Sequence, residues 1–380
     1  MKRLVELCDI QYGYAFDSNH FTEDKSFPQL VRIRDVKKGY SETYYNGEYP
    51  EEYVLSNGDL LIGMDGEFNI ARWKVDGALL NQRVCKVIVK NGINEEYIRF
   101  FMIKCLKKIE EKTSFATVKH LSAKELNRIE LDLPSIDEQN IIASLLSKLE
   151  MVIELRNQEL QSLDNLIKAR FVEMFGDPAN NEKGFIKAPM GDYMTVLTDF
   201  SSNGSYKTLD SGVTMYDESN YAWMVRTTDL ESGDMTAIKY IDEEAYELLA
   251  KSKIYGGEII MNKIGSAGKI YLMPQIDIPA SLGRNAFMFR YDERINVKFL
   301  YHLLTSEYGQ REIQQYVRGA VTKTITKKDV RAVLIIVPPI ELQNEFESFV
   351  EQVNKSKVAV QKALDETQIL FDSLMQKYFG

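Results

Sequence analysis

The chain has 380 residues, 44% of them hydrophobic and 11% aromatic, and a formal net charge of −9; this is enough apolar material for cores in two or three domains of roughly 100–200 residues each. No apolar run reaches the roughly 18–20 residues that a membrane helix needs, and the opening "MKRLVELCDIQYGY" has no apolar signal core, so a membrane protein is not indicated and the cytoplasm is the expected location. Cys8, Cys85 and Cys105 are too scattered for a disulfide framework or a CxxC metal knuckle and read as reduced, mostly buried thiols.

In chain order, the first strand signals are "DLLIGM" (59–64), "VCKVIV" (84–89) and "NRIELDLP" (127–134), short runs bounded by Gly, Asn, Asp and Pro. Helical periodicity covers "NEEYIRFFMIKCLKKIEEK" (94–112). A stretch without Gly or Pro then runs from Asp137 to Phe175 and stops at "MFGDP", where Gly176 suits a helix C-cap and Pro178 prevents continuation. The same order follows again: "EIIMNK" (258–263), "NAFMFRY" (285–291), a helical pattern over "NVKFLYHLLTSEYGQREIQQYV" (296–317), "RAVLIIVPP" (331–339), and a second long helical run that ends in "KYFG".

The recurrence is a duplication. "LDLPSIDEQNIIASLL" (131–146) aligns without a gap on "IIVPPIELQNEFESFV" (335–350), placing Pro134 over Pro338, Gln139 over Gln343 and Asn140 over Asn344. Upstream, "TVKHLSAKELNRIEL" lies over "VTKTITKKDVRAVLI", and "VRIRDVKKGY" (31–40) over "VRTTDLESGD" (225–234), with Asp35 matching Asp229. Two tandem mixed α/β blocks are expected, each followed by one long helix. The boundaries are 1–133 and 178–337 for the blocks, 134–177 and 338–380 for the helices. The acid excess sits in the two helical segments while both blocks are near neutral, so the overall charge does not exclude nucleic-acid binding.

Each long helix carries a heptad seam. Positions 142, 146, 149, 153, 156, 160, 163, 167, 170 and 174 are apolar except Arg156 and Arg170, and the matching positions of the second helix are apolar except Lys357 and Thr367. A helix of this length spans roughly 60 Å. Antiparallel pairing of the two helices is the simplest way to bury both seams, and it would relate the blocks by an approximate two-fold axis. The offset polar residues are expected to pin register.

The order block, Pro-Gln helix, block, Pro-Gln helix, with "TVKHLSAKELNRIELDLPSIDEQNIIASLLSKLEMVIELRNQELQSLDNL" in the first copy, resembles the specificity subunits of type I restriction-modification systems over essentially the whole chain. "VPPIELQNEFESFV" departs from the family's P-P-x-x-E-Q helix entry only in having Leu342 where Glu138 stands in the first copy. The resemblance implies that each block is a target-recognition domain for one half of a bipartite double-stranded DNA site. It implies that the helices act as a spacer and dock two methyltransferase subunits, and that motor-nuclease subunits can join. S-adenosylmethionine would belong to the methyltransferase partner, with no cofactor in this chain.

Two half-sites at fixed separation also follow from a paired arrangement of readers. Phosphate contacts position such a protein, and base-edge contacts specify the sequence. Candidate positioning residues are Arg32, Arg34, Lys37, Lys38 and Lys119, with Arg226, Lys263, Lys269 and Lys323 in the second block. Candidate base readers are Asn69, Arg72, Gln82 and Arg83, with Thr227, Ser266, Arg284 and Asn285. Catalytic and metal-binding signals are lacking. His20, His120 and His302 have no second ligand at metal spacing, and "GSAGK" lacks the spacing of a phosphate loop. The competing readings are a coiled-coil scaffold whose blocks bind proteins or carbohydrates, and a nuclease with an unrecognised site.

Overall fold

A computed structural model describes residues 1–112 and 120–380, and they form two units: residues 1–159 with 360–380, and residues 160–359. No helix among the described residues is long and apolar enough to cross a membrane. Both units are built on the same antiparallel four-stranded sheet. In the first the strand order is Cys8–Tyr12, Val84–Val89, Leu60–Gly63, Asn69–Arg72; in the second it is Met194–Asp199, Ala286–Tyr291, Ile259–Asn262, Ile270–Leu272. The duplication read from short motifs therefore extends to strand order.

A second sheet lies beside the first in the later unit, ordered Lys239–Ile241, Ala222–Val225, Ala280–Leu282, Lys253–Ile254, with a parallel pairing of Met224 on Ser281. The first unit reduces this layer to short pairs and a parallel bridge from Leu30 to Leu79. The expected strand over 127–134 shrinks to Glu130–Leu131, paired with Lys2–Arg3, because Ser122 and Glu125 cap a short helix at Ala123–Leu126 just before it. The helix expected over 296–317 is two helices, Val297–Thr305 and Glu307–Gln314. Ser306 is extended between them and its hydroxyl accepts the Gly309 N–H, so the second helix starts afresh on its own cap.

Both long helices are continuous, Ile136–Phe175 and Ile340–Phe379, and none of the twenty seam positions is exposed. Gly176 ends the first at φ 71°. Within the first unit the helices run antiparallel: Ala143 and Leu146 share a core with Met375 and Phe379, while Arg156 reaches Ala363 and Thr367. Within the second unit they also run antiparallel, with Asp164 against Lys357 and Arg170 against Glu345.

Of the polar seam residues, Arg156 and Thr367 pair with one another, while Lys357 and Arg170 pair with the off-seam carboxylates Asp164 and Glu345. Arg156 donates to the Ala363 carbonyl and the Thr367 hydroxyl, and Thr367 also donates to Ala363 at 2.7 Å. Because that second bond keeps Thr367 satisfied, Arg156→Leu is expected to leave the melting temperature unchanged or raise it, by the equivalent of about 1 kcal/mol or less, as replacement of semi-buried polar groups by packing often does. Thermal unfolding of the variant checks this.

The Pro-Gln motif is a joint held by a buried amide. Gln139 is 2% exposed; its Oε1 accepts the Asn94 N–H (3.0 Å) and its Nε2 donates to the Pro134 carbonyl (2.9 Å). Gln343 is fully buried; it accepts from Asn296 N–H (2.8 Å) and donates to Pro338 (2.8 Å) and Arg294 (3.1 Å) carbonyls. Asn94 and Asn296 stand just ahead of the helices Glu95–Lys112 and Val297–Thr305. One side chain therefore fastens the first turn of each long helix to the start of its block's own helix.

Candidate nucleic-acid interface

In the first unit a turn at Ile33–Asp35 follows the buried Val31. Asp35, 3% exposed, accepts the Arg32 backbone N–H (3.2 Å) and the Ser41 hydroxyl (2.9 Å), which turns the Arg32 and Arg34 side chains outward. Opposite them the loop Asn81–Arg83 leads into the strand Val84–Val89, with the buried Asn81 side chain accepting the Gln82 N–H at 2.9 Å. Arg32, Arg34, Gln82 and Arg83 line one cleft of about 460 Å³, floored by Phe16 and Phe21. Four of the nine candidates in this block are thereby brought together.

The second unit repeats the construction. Asp229, 4% exposed, accepts the Arg226 backbone N–H (3.0 Å) and its guanidinium (2.5 Å from Nη2), and Trp223 Nε1 approaches at 3.3 Å. The loop 283–285 packs against the strand Ala222–Val225: Gly283 N–H donates to the Val225 carbonyl at 2.8 Å, and a Cβ there would sit 2.7 Å from that oxygen, so only glycine fits. Arg226, Thr227, Ser266, Arg284 and Asn285 line a cavity of about 410 Å³ with Phe200 and Met215. The Arg284 guanidinium stacks over the Phe200 ring at 5.1 Å.

Other candidates lie elsewhere or are already engaged. Arg72 does not face the cleft: it holds Glu95 (3.0 Å), Glu96 (2.5 Å) and the Gly58 carbonyl (2.7 Å), tying its strand to the helix Glu95–Lys112. Nε, Nη1 and Nη2 of Arg72 each donate to one of these partners, and Arg72 does not line the cleft that holds Gln82 and Arg83. Lys37 pairs with Glu67 at 2.5 Å, and both line a separate groove with Asn69, whose amide donates to the Glu67 carbonyl. Lys263 donates to Asp199 at 2.9 Å, and Lys269 to Glu231 at 2.5 Å. Arg32, Lys38 and Lys323 are exposed and make no ion pair among the described residues. The Lys323 carbonyl accepts the Gly265 N–H, which sets this residue beside the Ser266 loop. Lys119 lies outside the described residues.

Two carboxylates organise the site without having been singled out in the sequence. Asp65 accepts from Arg83 and from His120 Nδ1 (2.5 Å); burial works against its charge, but these hydrogen bonds hold its carboxyl below the usual range. Asp199, 5% exposed, accepts from Lys327 (2.8 Å), Ser202 (2.6 Å), Lys263 (2.9 Å) and Ser201 (2.8 Å). Burial again opposes its charge, and the four donors outweigh burial and keep it far below the ordinary carboxylate value. His302 is a half-buried histidine edge-on to Phe346 at 5.3 Å, with burial pushing it down to about 4. Among the described residues no group of three His, Cys, Asp or Glu is placed to hold a metal ion.

Known proteins resemble this chain in sequence and in fold. The family model for the type I restriction modification DNA specificity domain matches residues 1–165 and 193–367. The chain is 30% identical to the type I restriction enzyme EcoBI specificity subunit of Escherichia coli, over 98% of this chain and 84% of that protein. It is 22% identical to the MjaVIII specificity subunit of Methanocaldococcus jannaschii, over 82% and 78%. The fold is similar to the crystal structure of the S subunit from M. genitalium, with a TM-score of 0.58 at 15% identity, covering 100% of this chain and 95% of that one. Carrying the specificity domain in both copies of a duplicated architecture, the chain belongs to the family of type I restriction-modification DNA specificity subunits.

Proposed function

We propose that each unit's cleft reads one half of a bipartite duplex site and that the long helices set the spacing of the halves and dock methyltransferase subunits. The observation that carries this is the equivalence of the two clefts: in both, an Arg turn capped by a buried Asp faces the loop that enters the same sheet strand. Arg32, Lys38 and Lys323, free of carboxylates, are suited to phosphates. Gln82, Arg83, Thr227, Ser266, Arg284 and Asn285 present base-reading chemistry from the cleft walls. Lys119 takes the place in the duplication that Lys323 holds. This chain performs no chemistry itself; the methyl donor S-adenosylmethionine is bound by the methyltransferase partner, and motor-nuclease subunits complete a restriction complex.

Mapping N6-methyladenine in the host genome with and without the gene tests the reading. Split-site methylation is expected to disappear on deletion, and exchange of residues 1–133 for another reader to change one half-site only. Unchanged methylation, or a change in both halves, would overturn it. Binding by the assembled complex should weaken steeply with salt, since released counterions accompany each phosphate contact.

A further inference from the structure

Among the described residues three non-glycine residues have a left-handed backbone: Arg83 (φ 72°), Asn181 (φ 50°) and Asn285 (φ 66°). Asn181 is accounted for locally, because its amide donates to the Phe185 carbonyl and accepts the Phe185 N–H. Arg83 and Asn285 occupy one duplicated position. Each directly precedes the second strand of its sheet, and each carbonyl accepts the backbone N–H of the residue after the neighbouring strand, Met64 (2.9 Å) and Lys263 (2.7 Å). Glycine takes the other left-handed turns. A polar side chain therefore stands in both copies at a turn that would accept glycine; Arg83 bears the steric cost of that region in full, and Asn285 bears less of it because asparagine tolerates the left-handed region.

Both side chains line their clefts. The Asn285 amide makes no hydrogen bond among the described residues, leaving its donor and acceptor unspent. Arg83 uses Nη1 on Asp65, whose second oxygen is held by His120. This contact tethers the guanidinium at Nη1, and its Nε and Nη2 make no hydrogen bond among the described residues.

Resting on the reading of these clefts as DNA interfaces, we propose that Arg83 and Asn285 are the paired base readers of the two units. Arg83 selects a guanine in one half-site and Asn285 an adenine in the other, with Asp65 as a positioning residue for Arg83. An Arg edge matches guanine O6 and N7, and an Asn amide matches adenine N6 and N7.

The test is the base preference of the assembled methyltransferase complex over duplexes randomised in both half-sites. Arg83→Gly relieves the left-handed backbone but removes one donor to Asp65, which keeps His120, so its melting temperature should change little, while preference for guanine at one position of one half-site falls roughly tenfold or more. Arg83→Asn should move that preference from guanine to adenine, and Asn285→Arg should make the opposite change in the other half-site. Asp65→Asn should blunt the Arg83 position alone. If Arg83→Gly keeps the wild-type preferences, or lowers methylation of all sequences evenly, the proposal is wrong. A wild-type complex with no split-site preference would instead remove the DNA reading on which it rests.

Discussion

Gln343→Ala is expected to destabilise the second unit by about 3 kcal/mol or more. The side chain is fully buried and makes three hydrogen bonds, to Asn296 N–H and to the Pro338 and Arg294 carbonyls. Truncation strands groups that water does not reach, each at about 1–3 kcal/mol. For a unit of this size that corresponds to a fall in melting temperature of roughly 6–12 °C. Gln139→Ala, which removes two such bonds, should lower the stability of the first unit by somewhat less. Asn344→Ala is the control: its contact to Asn296 is exposed, so its effect should stay within about 0.5 kcal/mol. Differential scanning calorimetry of the three variants checks the order, and equal losses for Gln343 and Asn344 would contradict the account of the joint.

Asp199→Ala is expected to cost about 3 kcal/mol at neutral pH, the lower end for breaking a buried charge pair, because Lys263 and Lys327 can regain some hydration once released. The pH dependence has a definite sign. The folded carboxyl is held far below its unfolded value of about 3.9, so its contribution is complete above that value and is lost as the pH falls through it toward the folded one. The stability gap between wild type and variant should therefore be constant from about pH 6 to 8 and narrow below about pH 4. Denaturant titrations across that range measure it. A gap that widened in acid would mean that the carboxyl does not carry its charge in the fold.

Both residues bear on what the clefts can do. Gln343 secures the joint between a block and its long helix, and Asp199 anchors Lys263 at the end of the strand that leads into the Ser266 loop. Neither lines a cleft, so a loss of DNA selectivity in these variants should track the loss of folded protein. A substitution at Arg83 or Asn285 should separate the two effects.

Local pattern was sufficient for the duplication, the two mixed α/β blocks, the length of the helices and their seams, because periodicity, caps and breakers act within a few residues. The place of the Pro-Gln motif at a joint was legible for the same reason, as was the matched pair Asp35 and Asp229. The engagement of Arg72, Lys37, Lys263 and Lys269 by carboxylates was not, since their partners Glu95, Glu96, Glu67, Asp199 and Glu231 are brought close only by the sheets and their loops. The break at Ser306 also escaped the helical pattern, because a serine hydroxyl can cap a new helix in the middle of an amphipathic run. Sequence alone thus determined what kind of protein this is and which short segments carry its candidate contacts. The tertiary structure decided which cations remain free and which two loops face one another, because charge pairing and backbone handedness depend on neighbours far away along the chain.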